Sequence, residues 1–390
     1  MASMIKRAII IVMDSCGVGA APDASDYGDE GSDTLGHVAE AVGGLTLPTL
    51  AAAGLGNLHP VLGVEPVAAP TMAFGKLTER SAGKDSTTGH WELAGVVTTE
   101  AHATYPDGFP PEVVERLVAA TGTEFLGNYA ASGTEIIQEL GPEHLETAKP
   151  ILYTSADSVL QIASHTDLIP LPELYRICDE ARVIADDYRI GRIIARPFEG
   201  ELGSFHRTYD RRDLAMPPHA STLLDLAKES GLEVVGVGKI EDLFVGRGLT
   251  DAIHTEGDLD GLRHTIRALK SIDTGIVMTN LVDLDMRYGH RENPEGYAEG
   301  LELIDLHLGH VISTLTDSDL LFVSADHGND PTDGDTDHTR EHVPLLVHGL
   351  SAPGVDLGVR AQYGDVAATA AEALGITGPL VGDSFLSDIS

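Results

Sequence analysis

The sequence predicts an α/β protein built on an open, doubly wound, mostly parallel sheet, with a smaller α+β domain inserted into it. Short apolar segments alternate with helical segments near the N-terminus and through the C-terminal half. Clusters of Asp and His follow three of these apolar segments, whereas the middle of the chain lacks such clusters. At 390 residues the chain is also long for one hydrophobic core, so two domains are expected.

The expected strands are short apolar runs bounded by polar residues, at 8–13, 232–237, 275–284, 320–324 and 344–348. The expected helices are segments in which apolar residues recur at three- and four-residue spacing, at 34–42, 221–230, 258–271, 295–315 and 366–374. Gly231 and Gly375 follow two of these helices, as C-terminal capping glycines do.

The middle of the chain, residues 99–218, is expected to form the inserted domain, so the core domain would be discontinuous over 1–98 and 219–390. The insertion contains a predicted turn at Pro110-Pro111, short strands at 158–163 and 192–196, and two helices, and Pro217-Pro218 closes it. We expect it to form a cap over the sheet edge.

The excess of acidic residues indicates which classes of ligand the protein does not bind over its general surface. The chain has 25 basic and 61 acidic residues, a net charge of −36, which argues against nucleic acid and anionic membranes as partners. An anionic substrate would need local positive charge from metal ions or a few Arg. With Cys16 and Cys178 as the only cysteines, neither a disulfide framework nor a thiolate metal site is expected. No segment approaches the roughly 18 apolar residues of a membrane helix, and we expect a cytoplasmic protein.

Three apolar strands lead into carboxylate and imidazole side chains. Because the carboxyl ends of parallel strands share one edge of a sheet, residues distant in sequence can converge there and hold two divalent metals. The candidates are Asp14, Asp285, His290, Asp326, His327 and His338. Oxygen and imidazole ligands without thiolate suit Mn²⁺ or Zn²⁺, with Mg²⁺ as a further option, and the share of carboxylates favours Mn²⁺.

The Asp-rich segment after Asp330 does not predict a calcium loop. If Gly334 were the sixth position of an EF-hand, Arg340 would occupy the twelfth, where Glu is needed.

A hydroxyl-rich segment, residues 81–91, offers a nucleophile for a two-metal site, since a metal-activated Ser or Thr oxygen can attack phosphorus. Composition alone leaves Ser86, Thr87 and Thr88 as near-equal candidates. The alternative is an ordinary helix cap or turn.

Four motifs carry a family resemblance. They are Asp14-Ser-Cys-Gly-Val-Gly, Gly83-Lys-Asp-Ser-Thr-Thr-Gly-His-Trp-Glu92, Asn280-Leu-Val-Asp-Leu-Asp-Met-Arg-Tyr-Gly-His290, and Ser324-Ala-Asp-His-Gly-Asn-Asp-Pro-Thr332 with Asp337-His-Thr-Arg-Glu-His342. In this order, over essentially the whole chain, the sequence resembles the prokaryotic phosphopentomutases of the alkaline phosphatase superfamily, relatives of cofactor-independent phosphoglycerate mutase. The resemblance implies an alkaline-phosphatase-like fold and interconversion of α-D-ribose 1-phosphate and D-ribose 5-phosphate, and of the 2-deoxyribose pair.

The resemblance also implies two Mn²⁺ ions and a phosphorylated hydroxyl residue. One ion would be held by Asp285, His290 and His338, and the other by Asp14, Asp326 and His327. Ser86 would lie beside the second ion as the nucleophile. The family commonly has Thr at this position, so Ser86 is a departure, and Thr88 stays an alternative.

Substrate contacts follow from the same resemblance. Ser155 and Asp157 would face the ribose hydroxyls, while Arg192, Arg207 and Lys239 would hold the distal phosphate, because an Arg fork suits bidentate phosphate binding. The expected reaction passes through phospho-Ser86 and a pentose 1,5-bisphosphate. Glucose 1,6-bisphosphate or ribose 1,5-bisphosphate would then act as activator.

Three alternative functions differ in what they require. A phosphatase would leave the phosphoenzyme open to water, a phosphoglycerate mutase would carry a different nucleophile motif and cap, and an acidic metal-binding protein would need no hydroxyl at the metals. The expected partners are small pentose phosphates. The sequence leaves open the metal used in the cell, the preference between ribose and deoxyribose, the extent of cap motion, and the oligomeric state.

Overall fold

A computed structural model describes residues 5–155 and 158–390. The chain divides into two compact units, one formed by Met1–Glu100 with Pro218–Ser390 and the other by Ala101–Pro217. We refer to them as the core unit and the inserted unit. Each unit contains its own β-sheet.

The strands in chain order are β1 (Arg7–Met13), β2 (Ala73–Leu77), β3 (Leu126–Ala130), β4 (Ile151–Thr154), β5 (Val159–His165), β6 (Arg192–Glu199), β7 (His206–Arg207), β8 (Arg212–Ala215), β9 (Glu233–Val237), β10 (Asp251–Ile253), β11 (Gly275–Leu281), β12 (Asp319–Ser324), β13 (Val343–His348) and β14 (Asp356–Arg360). The α-helices are α1 (Thr34–Val42), α2 (Pro48–Ala53), α3 (Leu55–Leu58), α4 (Ser86–Leu93), α5 (Pro111–Thr121), α6 (Gly133–Thr147), α7 (Leu171–Asp187), α8 (Leu223–Glu229), α9 (Ile240–Phe244), α10 (Asp258–Ser271), α11 (Pro294–Ile312) and α12 (Asp365–Leu374).

The core unit is organised around an eight-stranded sheet in the order β10-β9-β11-β1-β12-β13-β2-β14. Neighbouring strands run parallel except where β13 pairs antiparallel with β12 and β2. The central strand β1 is apolar and buried, as expected for a parallel strand covered on both faces. Val12 pairs with Asn280 of β11 and with Ser324 of β12, so these three strands end at the same level.

The predicted fold class is confirmed, and the five predicted strands of the core unit each overlap an observed strand. Strand β11 ends three residues before the predicted end because Asp283 turns the chain. Its N–H donates to the Asp258 carboxylate at 2.9 Å, and its own carboxylate accepts from the Asp258 N–H at 3.1 Å. A single π-helical turn, Leu284–Tyr288, follows. Strands β2, β10 and β14 had no clear apolar pattern and were not predicted.

The inserted unit has a mixed six-stranded sheet in the order β3-β4-β5-β6-β7, with β8 paired to β6. Leu152 of β4 packs in one apolar cluster with residues of α5 and α7, while its neighbours Ile151 and Tyr153 pack in another with residues of α6. Alternate residues of a strand face opposite sides of a sheet, so helices cover both faces. Within its described residues the unit has three helices rather than the predicted two, and one of them, α6, contains Pro142.

No helix within 5–155 and 158–390 is long and apolar enough to cross a membrane. Cys16 and Cys178 are both buried free thiols.

Candidate functional site

Three carboxylates lie buried at the edge where β11, β1 and β12 end. Asp14 follows β1 directly, Asp326 lies two residues beyond β12, and Asp285 lies in the π-helical turn after β11. Ser15 adopts a left-handed conformation with φ 74°, and its N–H donates to Asp326 Oδ1 at 3.2 Å. This backbone turn, uncommon for a residue other than glycine, links the ends of β1 and β12.

The first group of candidate ligands consists of Asp14, Asp326 and His327, with their ligand atoms within 4.8 Å of one another. His327 Nε2 lies 3.5 Å from Asp14 Oδ1 and 3.4 Å from Asp326 Oδ2. The opposite ring nitrogen, Nδ1, donates to the Gly328 carbonyl at 3.0 Å. The proton therefore resides on Nδ1, and Nε2 directs its lone pair toward the two carboxylates.

The second predicted group consists of Asp285, His290 and His338. Ligand atoms of Asp285, His338 and also His327 lie within 4.8 Å of one another, so His327 adjoins both groups. Asp285 Oδ2 lies 3.2 Å from His290 Nε2, and Asp285 Oδ1 lies 3.3 Å from His338 Nε2. The Nδ1 atoms of the two histidines donate to backbone carbonyls, that of Thr336 at 2.6 Å and that of Lys84 at 2.9 Å. The two groups adjoin, because the His327 and His338 rings stack with centroids 3.8 Å apart.

The donor set fits divalent metal ions. The Nε2 atoms of His290 and His338 face each other at 3.1 Å, and each presents a lone pair because the proton lies on Nδ1. In the part of the chain that the structure describes, the buried Asp14 Oδ1 and Asp326 Oδ2 accept no hydrogen bond. Facing acceptors without a donor are costly unless a cation lies between them. Imidazole and carboxylate ligands without thiolate suit Mn²⁺, Zn²⁺ or Mg²⁺.

The electrostatics of the three carboxylates also favour a cation. Burial raises the pKa of Asp14 well above its ordinary value, and the charges of Asp326 and Asp285 add to this effect. Burial acts in the same direction on Asp285, but the close approach of the His290 and His338 rings to its carboxylate outweighs burial and lowers its pKa. Two divalent cations would compensate three buried negative charges that otherwise oppose one another.

Part of the hydroxyl-rich segment forms the start of α4, where the hydroxyl groups of Ser86 and Thr88 make different contacts. Asp85 caps the helix and accepts from the Thr88 N–H at 3.0 Å. Thr88 Oγ1 donates to the Asp85 carbonyl and carboxylate at 3.0 and 3.1 Å, so it serves the cap. Ser86 Oγ lies 3.2 Å from His327 Nε2. The structure thus brings Ser86, rather than Thr88, to the candidate metal ligands.

Helix α4 packs directly on the end of β12. A Cβ atom added to Gly89 would lie 2.3 Å from the Asp326 carbonyl oxygen, so only glycine permits this approach. One residue on, the buried His90 donates from Nδ1 to the Ser86 carbonyl at 2.8 Å, with Asp326 Oδ2 3.0 Å away. The sequence provides no separate reason to assign a role to His90, which lies in the motif at residues 83–92.

Asn280 and Arg340 are further residues at the site that the sequence did not reveal. Asn280 Nδ2 donates to Asp14 Oδ2 at 2.7 Å and lies 3.2 Å from His90 Nε2, which connects the carboxylate to α4. The buried Arg340 donates to the Glu79 carboxylate at 2.7 Å and to the carbonyls of Ser81 and Gly83 at 2.8 and 2.6 Å. It therefore fixes the loop that leads to Ser86.

The predicted substrate residues lie in different places. Ser155 follows β4 and is half-buried, and Asp157 lies outside the described residues. Lys239 belongs to the core unit and precedes α9. Their roles stay predictions.

Arg192 and Arg207 both lie in the sheet of the inserted unit, and their roles also stay predictions. Arg192 begins β6 and lies 3.7 Å from Asp213, whereas Arg207 pairs with Phe198 near the other end of that strand.

Comparisons with known proteins give a consistent result. A model of the Metalloenzyme superfamily matches residues 229–377, the range that contains five of the six candidate ligands. A phosphopentomutase from Anaeromyxobacter dehalogenans (strain 2CP-1) is 54% identical over 388 residues, covering 99% of this chain and 100% of the relative. A phosphopentomutase from Desulfitobacterium hafniense (strain DSM 10664) is 52% identical over 387 residues, with 99% and 100% coverage. The solved structure of a phosphoglycerate mutase from Leishmania mexicana matches with a TM-score of 0.51 over 97% of each chain, and at 14% identity this shows a shared fold alone.

Proposed function

The chain belongs to the phosphopentomutase family, and from that premise we propose that it interconverts α-D-ribose 1-phosphate and D-ribose 5-phosphate, and the 2-deoxyribose pair, through a phosphorylated Ser86. The observation that carries the proposal is the position of Ser86 Oγ, 3.2 Å from His327 Nε2 and beside two groups of acceptor side chains.

Each group of side chains would hold one divalent cation, for which we propose Mn²⁺. Asp14, Asp326 and His327 would hold the ion beside Ser86, and Asp285, His290 and His338 would hold the other. Bound there, the pair would supply positive charge that stabilises the transferring phosphoryl group and the oxygens on either side of it.

The chain's own residues place the nucleophile. Ser86 is the first residue of α4, where the free N–H groups of a helix start favour a negatively charged phosphoryl group. The Asp85 cap and the His90 hydrogen bond to the Ser86 carbonyl fix the direction of that residue.

The reaction would consist of two opposite transfers. In the first, the bond between phosphorus and Ser86 Oγ breaks while a bond forms to the free hydroxyl of a bound pentose monophosphate, which loses its proton. The product is a pentose 1,5-bisphosphate. In the second, the bisphosphate returns its other phosphoryl group to Ser86 and that sugar oxygen regains a proton, so the enzyme ends as it began. A bisphosphorylated sugar, such as glucose 1,6-bisphosphate or ribose 1,5-bisphosphate, would restore the phosphoenzyme after hydrolysis.

Intact-mass analysis tests the nucleophile. The Mn²⁺-loaded protein incubated with glucose 1,6-bisphosphate should gain one phosphate, and Ser86→Ala should gain none. Thr87→Ala, which removes the neighbouring hydroxyl, is the matched control and should still be labelled. Label that persists in Ser86→Ala would reject the assignment.

A second measurement tests the reaction. Ribose 1-phosphate formed from ribose 5-phosphate is measured beside inorganic phosphate released. Isomerisation without net phosphate release supports a mutase. Release of phosphate with no isomer formed would instead indicate a phosphatase.

A further inference from the structure

The residue that follows Asp14 has a strained backbone. Ser15 is fully buried and adopts the left-handed conformation, with φ 74°. This conformation brings the Cβ atom of an L-residue too close to its own backbone, so glycine adopts it far more readily than serine does. A residue held in such a conformation needs contacts that keep it there.

The left-handed turn at Ser15 orients both carboxylates of the first group of candidate ligands. The Asp14 N–H donates to the Leu281 carbonyl at 3.0 Å, and the Ser15 N–H donates to Asp326 Oδ1 at 3.2 Å. The peptide group between Asp14 and Ser15 is therefore joined to the first carboxylate through the chain and to the second through a hydrogen bond. The φ angle of Ser15 sets the orientation of this peptide group relative to the residues that follow.

Tyr297 holds Ser15 from the opposite side. It lies near the start of α11 and is fully buried. Its hydroxyl donates to the Ser15 carbonyl at 3.0 Å and lies 3.4 Å from Ser15 Oγ. The same carbonyl accepts from the Gly17 N–H at 3.0 Å. Hydrogen bonds thus hold the peptide groups on both sides of Ser15.

The helix that carries Tyr297 is itself well fixed at this end. Asn293 caps α11 by accepting from the Gly296 N–H at 3.0 Å, and its carbonyl accepts from the Tyr297 N–H at 3.0 Å. In the hydrogen bonds of the described residues, Tyr297 contacts none of the six candidate ligands. Its influence on them passes through Ser15.

We propose that Tyr297 is a positioning residue for the metal centre, whose hydroxyl holds Ser15 in the left-handed conformation that directs Asp14 and Asp326 toward one cation. The inference rests on the proposed metal centre but concerns a residue outside the ligand set. Without the hydroxyl, Ser15 relaxes toward negative φ and its N–H turns away from Asp326. The two carboxylates then lose their common orientation, and the affinity for the cation falls.

Mn²⁺ titration of the full chain, with free Mn²⁺ followed by electron paramagnetic resonance, tests the inference. Tyr297→Phe should weaken the binding of one Mn²⁺ per chain by about fivefold to tenfold, the effect of one buried hydrogen bond. Tyr363→Phe is the matched control, because Tyr363 is equally buried in the core unit and its hydroxyl has no hydrogen-bond partner among the described residues. It should bind Mn²⁺ as the parent does. Urea denaturation with chelator present verifies that each variant is folded.

Substitution of Ser15 shows whether the backbone conformation carries the effect. Added to Tyr297→Phe, Ser15→Gly should recover about half or more of the lost affinity on a logarithmic scale, because glycine adopts positive φ without steric cost. Ser15→Ala in the same background should recover none, because alanine keeps the Cβ atom. Both double variants lack the Ser15 hydroxyl, so the backbone conformation is what distinguishes them. A purely structural role for Tyr297 would not produce this difference.

Two results would overturn the inference. One is a Mn²⁺ affinity of the folded Tyr297→Phe variant equal to that of Tyr363→Phe. The other is an equal affinity of the two double variants, which would show that Tyr297 does not act through the conformation of Ser15. The measured quantity is metal binding, so the inference holds or fails whether or not the chain proves to be a mutase.

Discussion

The ionised carboxylate of Asp14 destabilises the folded state when no metal is bound. Its carboxylate is buried, near two other carboxylates, and one of its oxygens accepts no hydrogen bond within the described residues. Burial, with Asp326 and Asp285 adding to it, raises the pKa of Asp14. An acid whose pKa is raised on folding stabilises the protein only while it is protonated, so this contribution is lost as pH rises.

Asp14→Asn should therefore stabilise the metal-free protein and reduce its response to metal. At pH 8 with a chelator present, we expect its free energy of unfolding to rise by about 1–3 kcal/mol, because a buried charge is replaced by a neutral amide. Urea denaturation with chelator and with Mn²⁺ measures both effects.

The exposed loop carboxylate of Asp333 provides the control for Asp14→Asn. Asp333→Asn should leave the metal response intact. If Asp14→Asn still gained full stability from Mn²⁺, Asp14 would not be a ligand.

The residues at the site differ in how far the sequence could reveal them. Asp and His at the ends of apolar strands could be anticipated to meet, because parallel strands share an edge. The role of Asn280 could not, because it depends on the 2.7 Å contact with Asp14 that only the folded register creates. The pairing of Phe198 with Arg207 likewise depends on the folded register, which composition does not determine.

At the scale of elements, the loop between β2 and α4 depends on one arginine. Arg340 is 2% exposed and holds the loop through the Glu79 carboxylate and the carbonyls of Ser81 and Gly83. Its planar fork reaches several acceptors at once, which a lysine ammonium cannot do.

Arg340→Lys should lower the rate of Ser86 phosphorylation by about tenfold or more, because a loosely held nucleophile loses its orientation. Mn²⁺ binding should be retained, since Arg340 contacts none of the six candidate ligands in the bonds described. Stopped-flow phosphorylation by glucose 1,6-bisphosphate and a Mn²⁺ titration measure the two effects. Arg360→Lys, which alters an ion pair with Asp365 elsewhere in the core unit, should change neither, and equal losses in both variants would contradict the assignment.

Helix α10 begins with Asp258, a buried carboxyl group whose ionised form destabilises the folded protein. Burial, with the nearby charge of Asp283 adding to it, raises the pKa of Asp258 to about 7. The stabilisation that protonated Asp258 contributes is fully present below the unfolded-state pKa near 3.9. It is lost as pH rises through about 7. The cost exceeds the modest benefit of an acid at a helix start.

Asp258→Asn should therefore flatten the dependence of stability on pH. We expect the excess of the variant's free energy of unfolding over the parent's to grow by about 1 kcal/mol or more between pH 5 and pH 8.5. Urea denaturation at both values provides the test, with Asp260→Asn, in the same turn and half-exposed, as control. An unchanged difference between the two pH values would show that Asp258 is ionised in the folded protein at both.

At the scale of the whole molecule, the two units should respond differently to metal. All six candidate ligands belong to the core unit, as does Trp91, the only tryptophan of the chain. The inserted unit has apolar clusters on both faces of its own sheet, which supports independent folding.

We expect residues 101–217 expressed alone to unfold cooperatively, with a midpoint that Mn²⁺ does not change. In the full chain, the midpoint detected by Trp91 fluorescence should rise with Mn²⁺, by about 2.7 kcal/mol of stabilisation at a metal concentration a hundred times Kd. Circular dichroism follows the fragment. If Mn²⁺ raised the unfolding midpoint of the fragment, a metal site would lie in the inserted unit, which would contradict this prediction.

The fold was easier to predict than the details of the inserted unit. Alternating apolar strands and amphipathic helices indicate a parallel sheet because both faces of such a sheet are covered. Helix α6 continues through Gly141 and Pro142, which normally end a helix, because packing of Ile136 and Ile137 outweighs that local preference.

Because Gly89 has no side chain, α4 can pack against the Asp326 carbonyl and hold Ser86 close to the candidate metal ligands. A single methyl group there would collide with the Asp326 carbonyl and push α4 outward, carrying the Ser86 oxygen with it. An alanine at position 89 would thus leave every chemical group of the centre in the chain while spoiling the alignment on which phosphoryl transfer depends. Gly89 therefore sets the distance between α4 and the candidate metal ligands.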